Sequence, residues 1–155
     1  MAKGGSGLKI EFVKFNLTNF SFQINPSFKF GEPVDVNLSF LINAEYKEEK
    51  KELESILGVK YYEKDSPFTF NILGRGVFKV NKNPSKTELA RLSDINCPAI
   101  IFPFIREAIA DFTRRAGFSP LLLPVTNFVN LRKTLMKKPT QTRTKKITKK
   151  KAQKV

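Results

Sequence analysis

Residues 96–131, NCPAIIFPFIREAIADFTRRAGFSPLLLPVTNFVNL, carry the longest helical pattern in the chain. Pro98 suits the first turn of a helix, where a missing N–H has no intrahelical partner to lose. Ile100, Ile101, Phe104, Ile105, Ala108, Ile109 and Phe112 then recur at helical spacing, with Arg106, Glu107, Asp111, Arg114 and Arg115 filling the other side. Gly117 follows as a C-cap able to take the left-handed conformation. Pro103 sits awkwardly in this pattern, because an interior proline removes a hydrogen bond and crowds the preceding turn. Either the helix is kinked there or its regular part starts close by. Beyond Gly117, Ser119-Pro120-Leu121-Leu122-Leu123-Pro124 is apolar but bounded by prolines, so an extended crossing segment is expected.

The sequence before residue 96 reads as strands in need of a cover. In residues 8–24, Ile10, Phe12 and Lys14 share one phase, while Phe20, Phe22 and Ile24 share a face after the interruption at residues 16–19. This predicts a long strand with a bulge or bend near Leu17-Thr18. Val34, Val36, Leu38, Phe40, Ile42, Ala44 and Tyr46 alternate with mostly polar residues, the signature of an antiparallel strand with one polar face. The charged residues 47–57 suit either a helical turn or a hairpin end running into a third strand at 53–63; Val59, Tyr61 and Tyr62 favour the hairpin. Phe68, Phe70 and Ile72 begin a fourth strand, and Gly74 and Gly76 within it suggest a bulge or a close backbone approach. Ser85 with Glu88 forms a capping-box pattern opening a short helix to about Ser93. Thr126 or Asn127 caps a last helix through Leu135, with Phe128, Leu131 and Leu135 on its apolar face.

The chain has 155 residues, the size of one domain, with 15 Phe and no Trp. Phenylalanine supplies large buried area, and a surplus also leaves room for exposed apolar clefts that mark interaction surfaces. The net charge of +14 is unevenly placed: residues 132–155 hold 11 Lys or Arg and no acid, leaving 17 basic against 14 acidic residues elsewhere. The basicity is a tail, led by Lys137, Lys138, Arg143, Lys145, Lys146, Lys149, Lys150 and Lys151. Its composition cannot bury enough apolar surface to fold, so disorder is expected over 136–155. Residues 1–7, MAKGGSG, read as a flexible leader, which leaves 8–135 as the domain.

Catalytic chemistry has little to stand on. The chain contains no histidine and a single cysteine, which removes Ser-His-Asp and Cys-His sites and any zinc site, and implies no metal. Gly74-Arg75-Gly76 lacks the following helix of a phosphate loop, and no cofactor is implied. Cys97 reads as a small buried residue, and nothing requires an oxidising compartment. Glu107 beside Arg106 reads as a surface pair. No apolar run approaches a membrane span, so a cytoplasmic, non-enzymatic protein is expected.

Cys97-Pro98, Phe102-Pro103, Arg106-Glu107, Arg115, Phe118, Leu121, Leu123-Pro124, Val125 and Asn127-Phe128 closely resemble the C-terminal half of the SecB family of protein-export chaperones. That family carries a CPxxLFPxxRE helix start and an RGxFPxLxLxPVNF crossing. A weaker resemblance covers the strands and none covers the tail. Together with the strand pattern it implies an α+β fold: a four-stranded antiparallel sheet with a long helix and a shorter C-terminal helix on one face.

The resemblance implies an ATP-independent holdase that binds unfolded polypeptides, for export or for a specific client such as the antitoxin of a toxin–antitoxin system. It further implies a homotetramer built as a dimer of dimers. It puts Phe68, Phe70 and Ile72 on the strand that contributes to assembly, though the same three suit the core. Phe40, Ile42, Phe78, Phe104, Phe118, Leu121 and Phe128 are the expected client groove, and any of them also suits the core. Asn19 and Gln23 stand where members that deliver clients to the SecA motor carry acidic residues, so that docking surface is absent here. A different reading assigns function to the tail, as a nucleic-acid- or ribosome-binding segment or one drawn to anionic lipid. It has no aromatic residue for base stacking, and it also suits a solubilising role.

Overall fold

The computed structural model describes residues 7–31, 34–136 and 144–151. Strands β1 (Ile10–Ile24), β2 (Val34–Lys47), β3 (Glu52–Tyr61) and β4 (Phe68–Val80) pair antiparallel in the order β1-β4-β3-β2. β2 and β3 form the expected hairpin, and its end is itself a 3₁₀ turn (Glu48–Lys50) closed by Lys51 at φ +49°. The charged stretch therefore holds both the hairpin and a helical turn.

Alternation sends one face of the sheet inward. On β3, Leu53, Leu57, Val59 and Tyr61 are buried, as are Leu38, Phe40 and Ile42 on β2 and Phe70, Ile72 and Phe78 on β4. The other face carries polar groups, where Glu54 accepts from Arg75 Nε at 3.2 Å and Lys47 Nζ at 3.0 Å. Those two hydrogen bonds, Arg75 first, hold the Glu54 carboxyl down at about 2.

The cover is helical from residue 86 to 115. α1 (Lys86–Arg91) starts at Ser85, whose side chain accepts from Glu88 N–H at 3.1 Å. A break before Pro98 is not found. A π turn (Leu92–Asn96) joins α1 to α2 (Cys97–Arg115), with Cys97 N–H donating to Leu92 O five residues back. The wider turn gives room to a proline that lacks an N–H and would crowd the carbonyl four residues before it.

Gly74 and Gly76 mark a close approach, for the helix lies directly on them. A Cβ on Gly76 would lie 2.8 Å from Ile101 Cδ1, and one on Gly74 would lie 2.6 Å from Phe15 Cε2. The bulges fall on the partner strand instead. β1 shifts register between Phe12 and Lys14 and again between Leu17 and Asn19, so the expected irregularity near Thr18 has a companion at Val13.

α2 ends in a Schellman cap: Gly117, at φ +94°, donates to Arg114 O at 3.1 Å, and Phe118 N–H donates to Thr113 O at 3.0 Å. The chain then crosses back in extended form to α3 (Phe128–Met136). Two helix side chains fasten the crossing. Thr113 Oγ1 accepts from Leu121 N–H at 2.8 Å, and Arg106 Nε donates to Leu123 O at 2.9 Å. Asn127 caps α3 by accepting from Asn130 N–H at 3.2 Å. Phe102 of α2 lies between Phe40 and Phe128, at 5.9 and 5.6 Å.

A fifth strand, β5 (Thr144–Lys151), runs antiparallel along the remaining edge of β2. Regular structure here departs from the disorder expected for 136–155. Composition reports what side chains can bury, whereas an open strand edge offers main-chain hydrogen bonds to any extended segment. The rest of the tail, including Lys137, Lys138 and Arg143, and residues 1–6 of the leader lie outside the described residues.

A candidate binding cleft between the first strand and the long helix

β1 is the outlying strand, and none of its 15 residues is fully buried. Its aromatic side chains nevertheless lie under α2. The bulge at Val13 shifts the phase, so that Phe12 pairs with Phe78 and Phe15 with Gly76, both on the helix-covered face. Lys14 is thereby excluded from the row that simple alternation gave it. After the second bulge, Phe20 and Phe22 take the same face, opposite Ile72 and Phe70.

Two rings from α2 meet this row. Phe104 stacks on Phe15 at 4.9 Å and on Phe12 at 5.6 Å, and it remains 40% exposed. Phe112 stacks on Phe20 at 3.8 Å. Between the two pairs lies an open cleft of about 530 Å³, lined by Phe15, Leu17, Phe104, Ala108, Phe112 and Pro120. Glu107, Asp111 and Arg114 also line it and put charge at its rim. There Asp111 accepts from Arg114 Nη2 at 2.6 Å and Arg115 Nε at 2.8 Å. These hydrogen bonds, Arg114 first, hold its carboxyl below the usual carboxylate range. Glu107 is exposed at the same rim, while its neighbour Arg106 turns to the crossing segment. Such a surface can hold an apolar or aromatic side chain of an extended chain and leave its backbone in water.

Of the expected groove residues, Phe104 alone reaches this cleft. Phe40, Ile42 and Phe78 are buried on the sheet, and Phe118, Leu121 and Phe128 are buried on the crossing segment and α3 that pack over it. Phe68, Phe70 and Ile72 are buried too, with Phe68 packed on Phe22 at 5.2 Å and on Phe118 at 5.0 Å. The residues that sequence alone missed are Phe15, Leu17 and Phe112. Phe112 stood in the helical apolar row, but the bulge hid the side on which Phe15 falls. Lys145, Lys146, Lys149, Lys150 and Lys151 belong to β5, at the other end of the sheet.

Among the described residues no cluster of His, Cys, Asp or Glu is placed to hold a metal ion. No helix among them is long and apolar enough to cross a membrane. Cys97 is buried, which pushes its thiol up to about 12.

The sequence model of a family described as preprotein translocase subunit SecB matches residues 10–138. Among curated relatives, a protein-export protein SecB of Bradyrhizobium diazoefficiens is 36% identical over 104 residues, 65% of this chain and 63% of that one. Another, from Rhodopseudomonas palustris strain BisB18, is 45% identical over 64 residues, 41% of this chain and 38% of that one. The chain thus spans less than two thirds of the length of these relatives. Among solved structures, a Mycobacterium tuberculosis SecB-like chaperone, Rv1957, in complex with a ChAD peptide from the HigA1 antitoxin, superposes with a TM-score of 0.62. That pair is 15% identical, and the match covers 76% of this chain and 90% of the other. The sheet, its helical cover, the proline-bounded crossing and the family match agree, and the chain belongs to the SecB family.

Proposed function

We propose that this chain is an ATP-independent holdase that binds unfolded polypeptides, with the cleft between β1 and α2 as its client contact. The observation that carries this reading is the group of Phe15, Leu17, Phe104 and Phe112 around an open cleft beside β1, a strand with no fully buried residue. An apolar surface of this kind, rimmed by charge, fits an interaction site better than a catalytic one. The six buried residues of the expected groove belong to the core, and Phe104 is the member of that set that reaches the cleft.

Export of clients and protection of one particular client are both served by such a cleft. The relatives named for protein export favour the first, and the structural neighbour with an antitoxin peptide favours the second. Asn19 and Gln23 are exposed on β1 without acidic neighbours at those two positions, which argues against handover to SecA. Self-association into a dimer of dimers is part of the reading. With Phe68, Phe70 and Ile72 inside the core, the free edge of β1, with Val13 exposed, is the surface we assign to it. A cytoplasmic location follows from the same reading.

The test is suppression of aggregation of a chemically unfolded, slowly folding protein, without ATP and at about 150 mM salt, where exposed charges are largely screened. Near-stoichiometric suppression by both the full chain and a form ending at Met136 supports the holdase. Suppression lost with the tail assigns the binding to tail charge. Loss in both forms removes the reading.

A further inference from the structure

The edge of β2 opposite β3 is occupied by the chain's own tail. β5 pairs with it from Val34 opposite Lys151 to Leu41 opposite Thr144. The register sets Lys149, Ile147 and Lys145 against Val36, Leu38 and Phe40, the inward-facing row of β2. Of those three positions on the tail, Ile147 alone is apolar. Residues 144–151 carry five lysines and no acid, and the like charges of Lys145-Lys146 and of Lys149, Lys150 and Lys151 stand next to one another. A strand of this composition is held mainly by main-chain hydrogen bonds, which any extended polypeptide supplies equally well.

We infer that the edge of β2 is a second client contact, one that accepts an extended, apolar segment by strand addition, and that the tail is its intramolecular competitor. This rests on the holdase reading and adds a threshold to it. A segment with apolar residues opposite Val36, Leu38 and Phe40 matches that row at all three positions, where the tail matches it at Ile147 alone, and displaces β5. A polar segment offers only the main-chain bonds that the tail already makes, and does not. The basic tail then has a role inside its own domain, without an anionic partner.

The experiment compares the full chain with Ile147→Pro/Thr148→Pro. Alternate residues of an edge strand turn their N–H groups toward the neighbouring strand, so one of two consecutive prolines must remove a ladder bond. All tail charges are kept. The probe is a labelled neutral peptide with valine at alternate positions, and a form ending at Met136 is measured beside it. If the tail is docked in about nine of ten molecules, apparent affinity is reduced about tenfold. The proline variant should therefore bind the peptide about tenfold tighter, with amide exchange faster across residues 34–41 and unchanged in β3 and β4.

Equal peptide affinity in variant and full chain, while every form still suppresses aggregation, overturns this inference and leaves the holdase standing. Tighter binding on truncation but not with the prolines overturns it as well, because charge and not pairing would then be responsible. If no form suppresses aggregation, the holdase reading itself fails, whatever the exchange data show.

Discussion

Phe104 is the residue whose loss separates binding from folding. A phenylalanine presents about 200 Å² when fully uncovered, so a ring that is 40% exposed offers about 80 Å² to an occupant of the cleft. At about 25 cal/mol per Å², covering that area is worth about 2 kcal/mol. Phe104→Ala should therefore weaken client binding by about 30-fold. Phe104→Leu keeps most of the apolar area and should stay within about threefold of the parent on the same scale. The assay is titration of a labelled unfolded client at a temperature where circular dichroism shows each variant fully folded. Phe78→Ala is the contrast. That ring is fully buried, and its removal should cost about 3–5 kcal/mol of stability, with the affinity of the folded fraction unchanged. If Phe104→Ala binds client within twofold of the parent while folded, the cleft is not the contact and the reasoning fails.

The remaining expectations concern the frame around the cleft. Glu54 is held near pKa 2 when folded, against about 4.3 in an unfolded chain. Its pairing thus stabilises fully above about pH 4.5 and is lost as pH falls toward 2, so acid unfolding of Glu54→Gln should show a shallower dependence over that window. Cys97, with its thiol pushed up to about 12 by burial, should resist alkylation at pH 8 until denaturant is added. Gly76→Val drives a side chain toward Ile101 and Phe78 and should cost about 1–3 kcal/mol by chemical denaturation. Thr113→Val strands the Leu121 N–H and should cost about 1–3 kcal/mol, with faster proteolysis across residues 118–124.

Much of the fold was legible because its signals are local and redundant. Strict alternation from Val34 to Tyr46 defined β2, and Ser85 with Glu88 gave the start of α1. Gly117 and the two prolines of the crossing segment gave the end of α2 and the extended return. What local signals did not give was continuity. Pro98 is as well suited to a helix beginning as to a helix that has just passed through a π turn, and only the packing of residues 92–96 selects the second. Likewise, nothing in a lysine-rich composition reports that an unpaired edge of β2 stands within reach of the tail.

The binding site was harder to read, and for a physical reason. Buried and exposed phenylalanines look alike in sequence, because both follow the period of their element. Phe40 and Phe78 sit in the middle strands, under helices, whereas Phe12 and Phe15 sit on a strand with a free edge and a partial cover. That difference is one of strand order, set by pairings between residues far apart in the chain. The bulge at Val13 adds a second layer, since one inserted residue exchanges which side chains face the helix. Aromatic rings on β1 contribute less to stability than their buried counterparts, because none is fully withdrawn from water. Their concentration on that strand is better accounted for by what they contact beyond the domain, a client chain in the cleft or a second copy along the edge, than by the core they only partly join.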